Sequence, residues 1–72
     1  MKKKGFLFFN NSIGRYDVVF PGEGNYGGLH CGNVFDILVN GAWEPTRIEH
    51  NGEDWYLVGF EDLSLEEQRV RM

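Results

Sequence analysis

The stretch NVFDILVNGAWEPTRIEHNGEDWYLVGF, residues Asn33–Phe60, decides the fold. It holds Asn-Gly twice, at Asn40-Gly41 and Asn51-Gly52, each between runs rich in apolar and aromatic residues. Asn-Gly suits a type I′ turn, because both central residues must take positive φ and these two tolerate it. The pattern predicts three strands, Asn33–Val39, Ala42–His50 and Asp54–Phe60, in an antiparallel meander. A two-residue turn at Asn40-Gly41 pairs Val39 with Ala42, Ile37 with Glu44 and Phe35 with Thr46. The same turn at Asn51-Gly52 pairs Ile48 with Trp55 and Thr46 with Leu57. Lengthening that second loop by two residues would slide the pairing but keep every side chain on its face, since strands alternate with period two. One face then carries Phe35, Ile37, Val39, Ala42, Ile48, Trp55 and Leu57 and reads as core. The other mixes Val34, Asp36, Leu38, Trp43, Pro45, Arg47, Glu49, Tyr56, Val58 and Phe60. Pro45 has no N–H to give a ladder, so it predicts an unpaired or bulged position and a bend.

Outward from this stretch, Gly5–Phe9 and Gly14–Phe20 read as two further strands around Asn10-Asn11-Ser12. Residues 21–28, Pro-Gly-Glu-Gly-Asn-Tyr-Gly-Gly, read as a flexible connection and a mobile contact loop carrying Tyr26. Ser64-Leu65-Glu66-Glu67 has the form of a capping box and predicts one helical turn. Gln68–Met72 alternates as an edge or closing strand does. Six short strands in 72 residues predict a single all-β domain over residues 1–72. Its expected form is a small five- to six-stranded antiparallel SH3-like or partly open barrel.

Eleven Asp and Glu against seven Lys and Arg give a net charge of −4, which argues against unspecific phosphate binding. The excess fits a solubilising surface, or one that attracts or mimics toward a basic partner. The single cysteine, Cys31, excludes an internal disulfide and suits a reducing compartment. Lys2-Lys3-Lys4 before Gly5–Phe9 imitates a signal peptide, but the apolar run is too short. No run reaches membrane-spanning length. The expected location is the cytoplasm, with no membrane partner.

The mixed face is the candidate partner-binding surface, with Asp36, Trp43, Arg47, Glu49 and Tyr56 on it and Tyr26 beside it. Arg47 is placed opposite Val34 and Tyr56, where a cation–π contact could form, and aromatics beside an arginine make interface hot spots. The competing reading folds this face around a second part of the core, with Asp36 and Arg47 as a cross-strand ion pair. His30, Cys31 and His50 are the candidate metal ligands, with zinc as the ion in view, yet their spacing matches no known ligand pattern. Cys31 with either histidine lacks an orienting group, so the sequence points away from catalysis. The glycine-rich loop lacks the lysine and helix that a phosphate loop needs.

The segment Gly41-Ala42-Trp43-Glu44-Pro45-Thr46-Arg47-Ile48-Glu49, with Trp55-Tyr56-Leu57-Val58-Gly59 and Arg69-Val70-Arg71, resembles a family of short domains of unknown function. That family occurs in Gram-positive bacteria and their mobile elements. The resemblance covers the second half of the chain and, more loosely, Gly14-Arg15-Tyr16. It implies a small barrel-like fold in a phage or mobile-element setting, and no catalytic residues. The functional expectation is a non-enzymatic protein-binding module, in its most concrete form an inhibitor of a host nucleic-acid-targeting defence protein. The alternatives are a nucleic-acid-binding small barrel using Trp43, Tyr56, Arg47 and Lys2–Lys4, and a metal-stabilised structural domain. The oligomeric state stays open.

Overall fold

The computed structural model describes residues 2–72. Its strands are β1 (Lys4–Asn10), β2 (Arg15–Phe20), β3 (Gly24–Asn25), β4 (Val34–Val39), β5 (Ala42–His50), β6 (Trp55–Leu57) and β7 (Arg69–Arg71). They form one antiparallel sheet in the order β3-β2-β1-β7-β4-β5-β6. Seven strands stand where five to six were expected, and the additional one is the two-residue β3 inside the glycine-rich stretch. Among the described residues there is no helix. The sheet curls until Tyr16 of β2 and Trp55 of β6 meet edge to face, ring centroids 6.5 Å apart. No ladder joins β3 to β6 among the described residues, so the sheet is not closed.

The first Asn-Gly turn is as the sequence predicts. Asn40 and Gly41 have φ of 50° and 81°, and β4 pairs β5 from Val39↔Ala42 to Val34↔Arg47 without interruption. The second turn is longer. The Asn51 side-chain oxygen accepts the N–H groups of Glu53 and Asp54 at 2.8 and 2.9 Å, an arrangement asparagine favours over a regular turn. The register becomes Ile48↔Leu57, Glu49↔Tyr56 and His50↔Trp55, two residues along from the tight-turn pairing. Faces survive that slide, as period two requires. Pro45 makes no bulge. Two-residue hairpin closure makes Val39↔Ala42 a hydrogen-bonded pair, so alternation leaves Asp36↔Pro45 non-hydrogen-bonded. Pro45's missing N–H faces away from β4, where the chain after β6 has already turned at Gly59.

Phe35, Ile37, Ile48 and Leu57 are buried, and Val39 and Trp55 pack against them. Ala42, placed in the core by sequence, is exposed because it flanks the hairpin tip beyond the packed layer. Leu7, Val18, Phe20, Leu29, Leu65 and Val70 complete the core. The capping box forms no helical turn. Glu67 takes φ of 63° and its N–H donates to the Leu7 carbonyl, which begins the β1–β7 ladder instead. β7 is therefore an interior strand, paired through Lys4↔Arg71 and Phe6↔Arg69 on one side and Asp36↔Arg71 on the other.

Gly5 lies against β2 with no room for a side chain. A Cβ there would collide with the Val19 carbonyl oxygen and lie 2.8 Å from Val18 Cγ1. Overpacking against backbone costs about 1–3 kcal/mol, and each kcal/mol moves Tm by roughly 4–8 °C in a domain of this size. Gly5→Ala is expected to lower the melting temperature by at least about 4 °C; an unchanged melt would contradict this packing.

Candidate functional site

Strand alternation sends one set of side chains outward. On β1 these are Lys4 and Phe6, on β7 Arg69 and Arg71, on β4 Asp36 and Leu38, and on β5 Trp43 and Arg47. The sequence-derived face is thus the outer face of the sheet, and its partners differ from those expected. Asp36 is 8% exposed. Its Oδ2 accepts Lys2 Nζ at 2.6 Å and Arg71 Nε at 3.1 Å. The bond from Lys2 holds this carboxyl below its usual range against the opposing effect of burial, with Arg71 adding to Lys2. Arg71, so fixed, lies over the Trp43 ring at 4.7 Å from its centroid. The Asp36–Arg47 ion pair of the competing reading is absent: Arg47, opposite Val34 as predicted, bonds Glu49 at 2.8 Å, and Asp36 is taken by Lys2 and Arg71. The slide of β6 also sets Tyr56 opposite Glu49 rather than Arg47.

Beside the Arg71–Trp43 stack runs a groove of about 400 Å³, walled by Lys4, Phe6, Pro21, Leu38, Trp43 and Arg69. Arg69 lies over the Phe6 ring at 5.7 Å, and Phe6 is 37% exposed. No carboxylate lines it. Lys2–Lys4 and Arg69/Arg71 stand out in sequence as basic ends; the β1–β7 register makes them neighbours. Leu38 stands opposite Trp43 on the mixed face as the first turn predicts, whereas Phe6 and Pro21 gave no sequence signal for a site, since their meeting with it depends on sheet order.

Tyr56 belongs to a second groove, of about 510 Å³, with Trp55, Asp54, Glu61, Leu63 and Asn51. It is acidic. The Gly59 N–H bonded to Glu61 keeps that carboxyl below its usual range. Close by, burial pushes the Tyr16 hydroxyl up, and Glu66 adds to it.

Tyr26 is exposed, while its N–H donates to the Val18 carbonyl at 2.8 Å. The loop that carries it is tethered rather than loose. Asp17, 1% exposed, accepts N–H groups from Val18, Gly27 and Gly28 on Oδ1 at 2.8–2.9 Å. Gly27 and Gly28 present those amides at φ of 113° and 109°. Leu29 then inserts fully into the core.

The candidate metal ligands do not converge. His30 Nδ1 faces Arg15 Nη1 at 2.6 Å, Cys31 is exposed, and His50 Nδ1 accepts the Gly52 N–H at 3.1 Å. Among the described residues no three His, Cys, Asp or Glu side chains form a group that could hold an ion. No helix of the described residues is long and apolar enough to cross a membrane.

The family model for the domain of unknown function DUF5348 matches residues 5–72, well beyond the second half that carried the resemblance. A crystal structure of a protein from Ruminococcus gnavus is similar at 51% identity, with a TM-score of 0.88 over 97% of this chain and 100% of that one. No curated protein matches.

Asp17 gives a test of the loop anchor. Burial raises its pKa, and the bonds from Gly28, Val18, Gly27 and Asn10 outweigh burial and lower it below 3.8. A lowered folded-state pKa contributes stability that is present above 3.8 and lost as pH falls through the lower folded value. Asp17→Ala is expected to cost about 1–3 kcal/mol at neutral pH by orphaning buried donors. It is also expected to flatten the acid limb of the stability curve. Urea titrations from neutral pH to below 3 check both, and an unchanged acid limb would contradict the assignment.

Proposed function

The chain belongs to the DUF5348 family of domains of unknown function, and we propose that it is a non-enzymatic binding module that works by occupying a macromolecular partner. The contact surface in this reading is the outer face of β1, β7, β4 and β5. The observation that carries it is a separation of charge. A chain of net charge −4 keeps a groove walled by Lys4, Arg69, Phe6 and Trp43 without any carboxylate. The rings of Phe6 and Trp43 are not among the side chains that form the core or pack against it. Tryptophan, tyrosine and arginine are enriched among the few residues that carry most of an interface's binding energy. The groove walls offer no nucleophile with a base, which supports a binding role over catalysis. The curled hairpins around one core suit an SH3-like frame.

The acidic groove of Asp54 and Glu61 favours a second reading, with a basic protein surface as the partner. That is the form in which the domain would inhibit a host nucleic-acid-targeting protein in the cytoplasm. One experiment separates the two. Immobilised wild type, Trp43→Ala, Arg69→Glu and Asp54→Lys capture partners from lysate, with protein and nucleic acid both analysed. Loss of the captured partner in Trp43→Ala and Arg69→Glu, with Asp54→Lys unaffected, is expected. Loss confined to Asp54→Lys would overturn the first reading in favour of the second.

A further inference from the structure

Resting on that reading of the outer face, we propose that the groove between Phe6 and Trp43 takes a single-stranded nucleic acid. Its cations follow one line. Arg69 and Arg71 lie two apart on β7, so they point the same way roughly 6.6–6.8 Å apart along the strand, and Lys4 stands directly opposite Arg71. Rings flank that line on both sides, Phe6 on β1 and Trp43 on β5. This is a charged track with stacking platforms beside it, the combination by which proteins bind unpaired strands.

Each ring has a guanidinium toward it, Arg69 over Phe6 at 5.7 Å and Arg71 over Trp43 at 4.7 Å. A base added to the Arg71–Trp43 stack extends a pair whose guanidinium Asp36 already holds, so little side-chain freedom is lost there on binding. Bases in a duplex keep their faces covered and cannot use the rings. A plain acidic peptide would satisfy the cations and leave both rings idle.

The net negative charge does not cancel this field locally. Asp36 is taken by Lys2 and Arg71, and Glu23 by Lys3 at 3.0 Å. Among the described residues Lys4 and Arg69 have no carboxylate partner within salt-bridge distance. Counting those two cations, with one more from the Lys2–Asp36–Arg71 cluster, gives two to three neutralised phosphates. The affinity should then fall with a log–log salt slope of about −1.4 to −2.1, or roughly 7- to 18-fold between 50 and 200 mM salt.

The test is fluorescence anisotropy with labelled 12-nucleotide oligo(dT), a 12-base-pair duplex and a polyglutamate peptide. Oligo(dT) is expected to bind with that salt dependence, and to bind tighter than either competitor. Trp43→Ala is expected to weaken it by about five- to 150-fold, the range that loss of one base stack gives. Lys4→Glu and Arg69→Glu, at exposed positions, are expected to weaken it too and do not depend on Trp43→Ala folding. No binding of oligo(dT) at 50 mM salt overturns the proposal, as does duplex or polyglutamate binding equally well, or insensitivity to both charge reversals. If oligo(dT) fails while lysate capture still depends on Trp43 and Arg69, the nucleic acid falls and the binding face stands. If capture is insensitive as well, the face itself falls.

Discussion

Arg69-Val70-Arg71 joins two hairpin systems that share no other strand ladder among the described residues. β1, β2 and β3 form one, and β4, β5 and β6 the other. Among the described residues β7 is the strand that pairs with both. The ladder runs on past its three residues, through Leu7 with Gln68 and Lys3 with Met72. Val70 faces inward with no exposed surface, between Gly5 on one side and Ile37 on the other. Burying such a side chain contributes about 1.5–3 kcal/mol. Its larger role is geometric: without β7 each half would be left with an unpaired edge and half a core.

The same strand composes the outer face. Because Val70 points in, Arg69 and Arg71 must point out, and the β1 register sets them beside Phe6 and Lys4. Arg71 then does two things. It shares the Asp36 carboxylate with Lys2 and covers Trp43. Core, inter-half joint and basic groove therefore depend on one alternation over three residues.

How far this was legible in sequence follows from how local each decision is. The two Asn-Gly pairs look alike, yet Asn40 and Gly41 both take positive φ while Asn51 uses its side chain to collect two amides. Sequence could not separate these outcomes, but period two made the faces indifferent to the choice, so Phe35, Ile37, Ile48 and Leu57 were readable as core. Ala42 was not, because distance from the hairpin tip is a tertiary property. Asp36 had Arg47 as its nearest visible cation, while its true partners lie 34 and 35 residues away. Asp17 stood out in sequence only as a carboxylate that could complete a metal site, and the return of Gly27 and Gly28 gives it a different task, as a loop anchor. Trp43 and Leu38 were visible on the mixed face and Lys2–Lys4 in the nucleic-acid reading, whereas Phe6, Pro21, Arg69 and Arg71 required the sheet order.

Native-state hydrogen exchange over a denaturant series tests the joining role of β7 most directly, since it resolves which parts of a fold open together. Amides in the β2–β1, β1–β7, β7–β4 and β4–β5 ladders are expected to converge on a single opening free energy. Two separate openings, one for the β1–β2–β3 half and one for the β4–β5–β6 half, would contradict it.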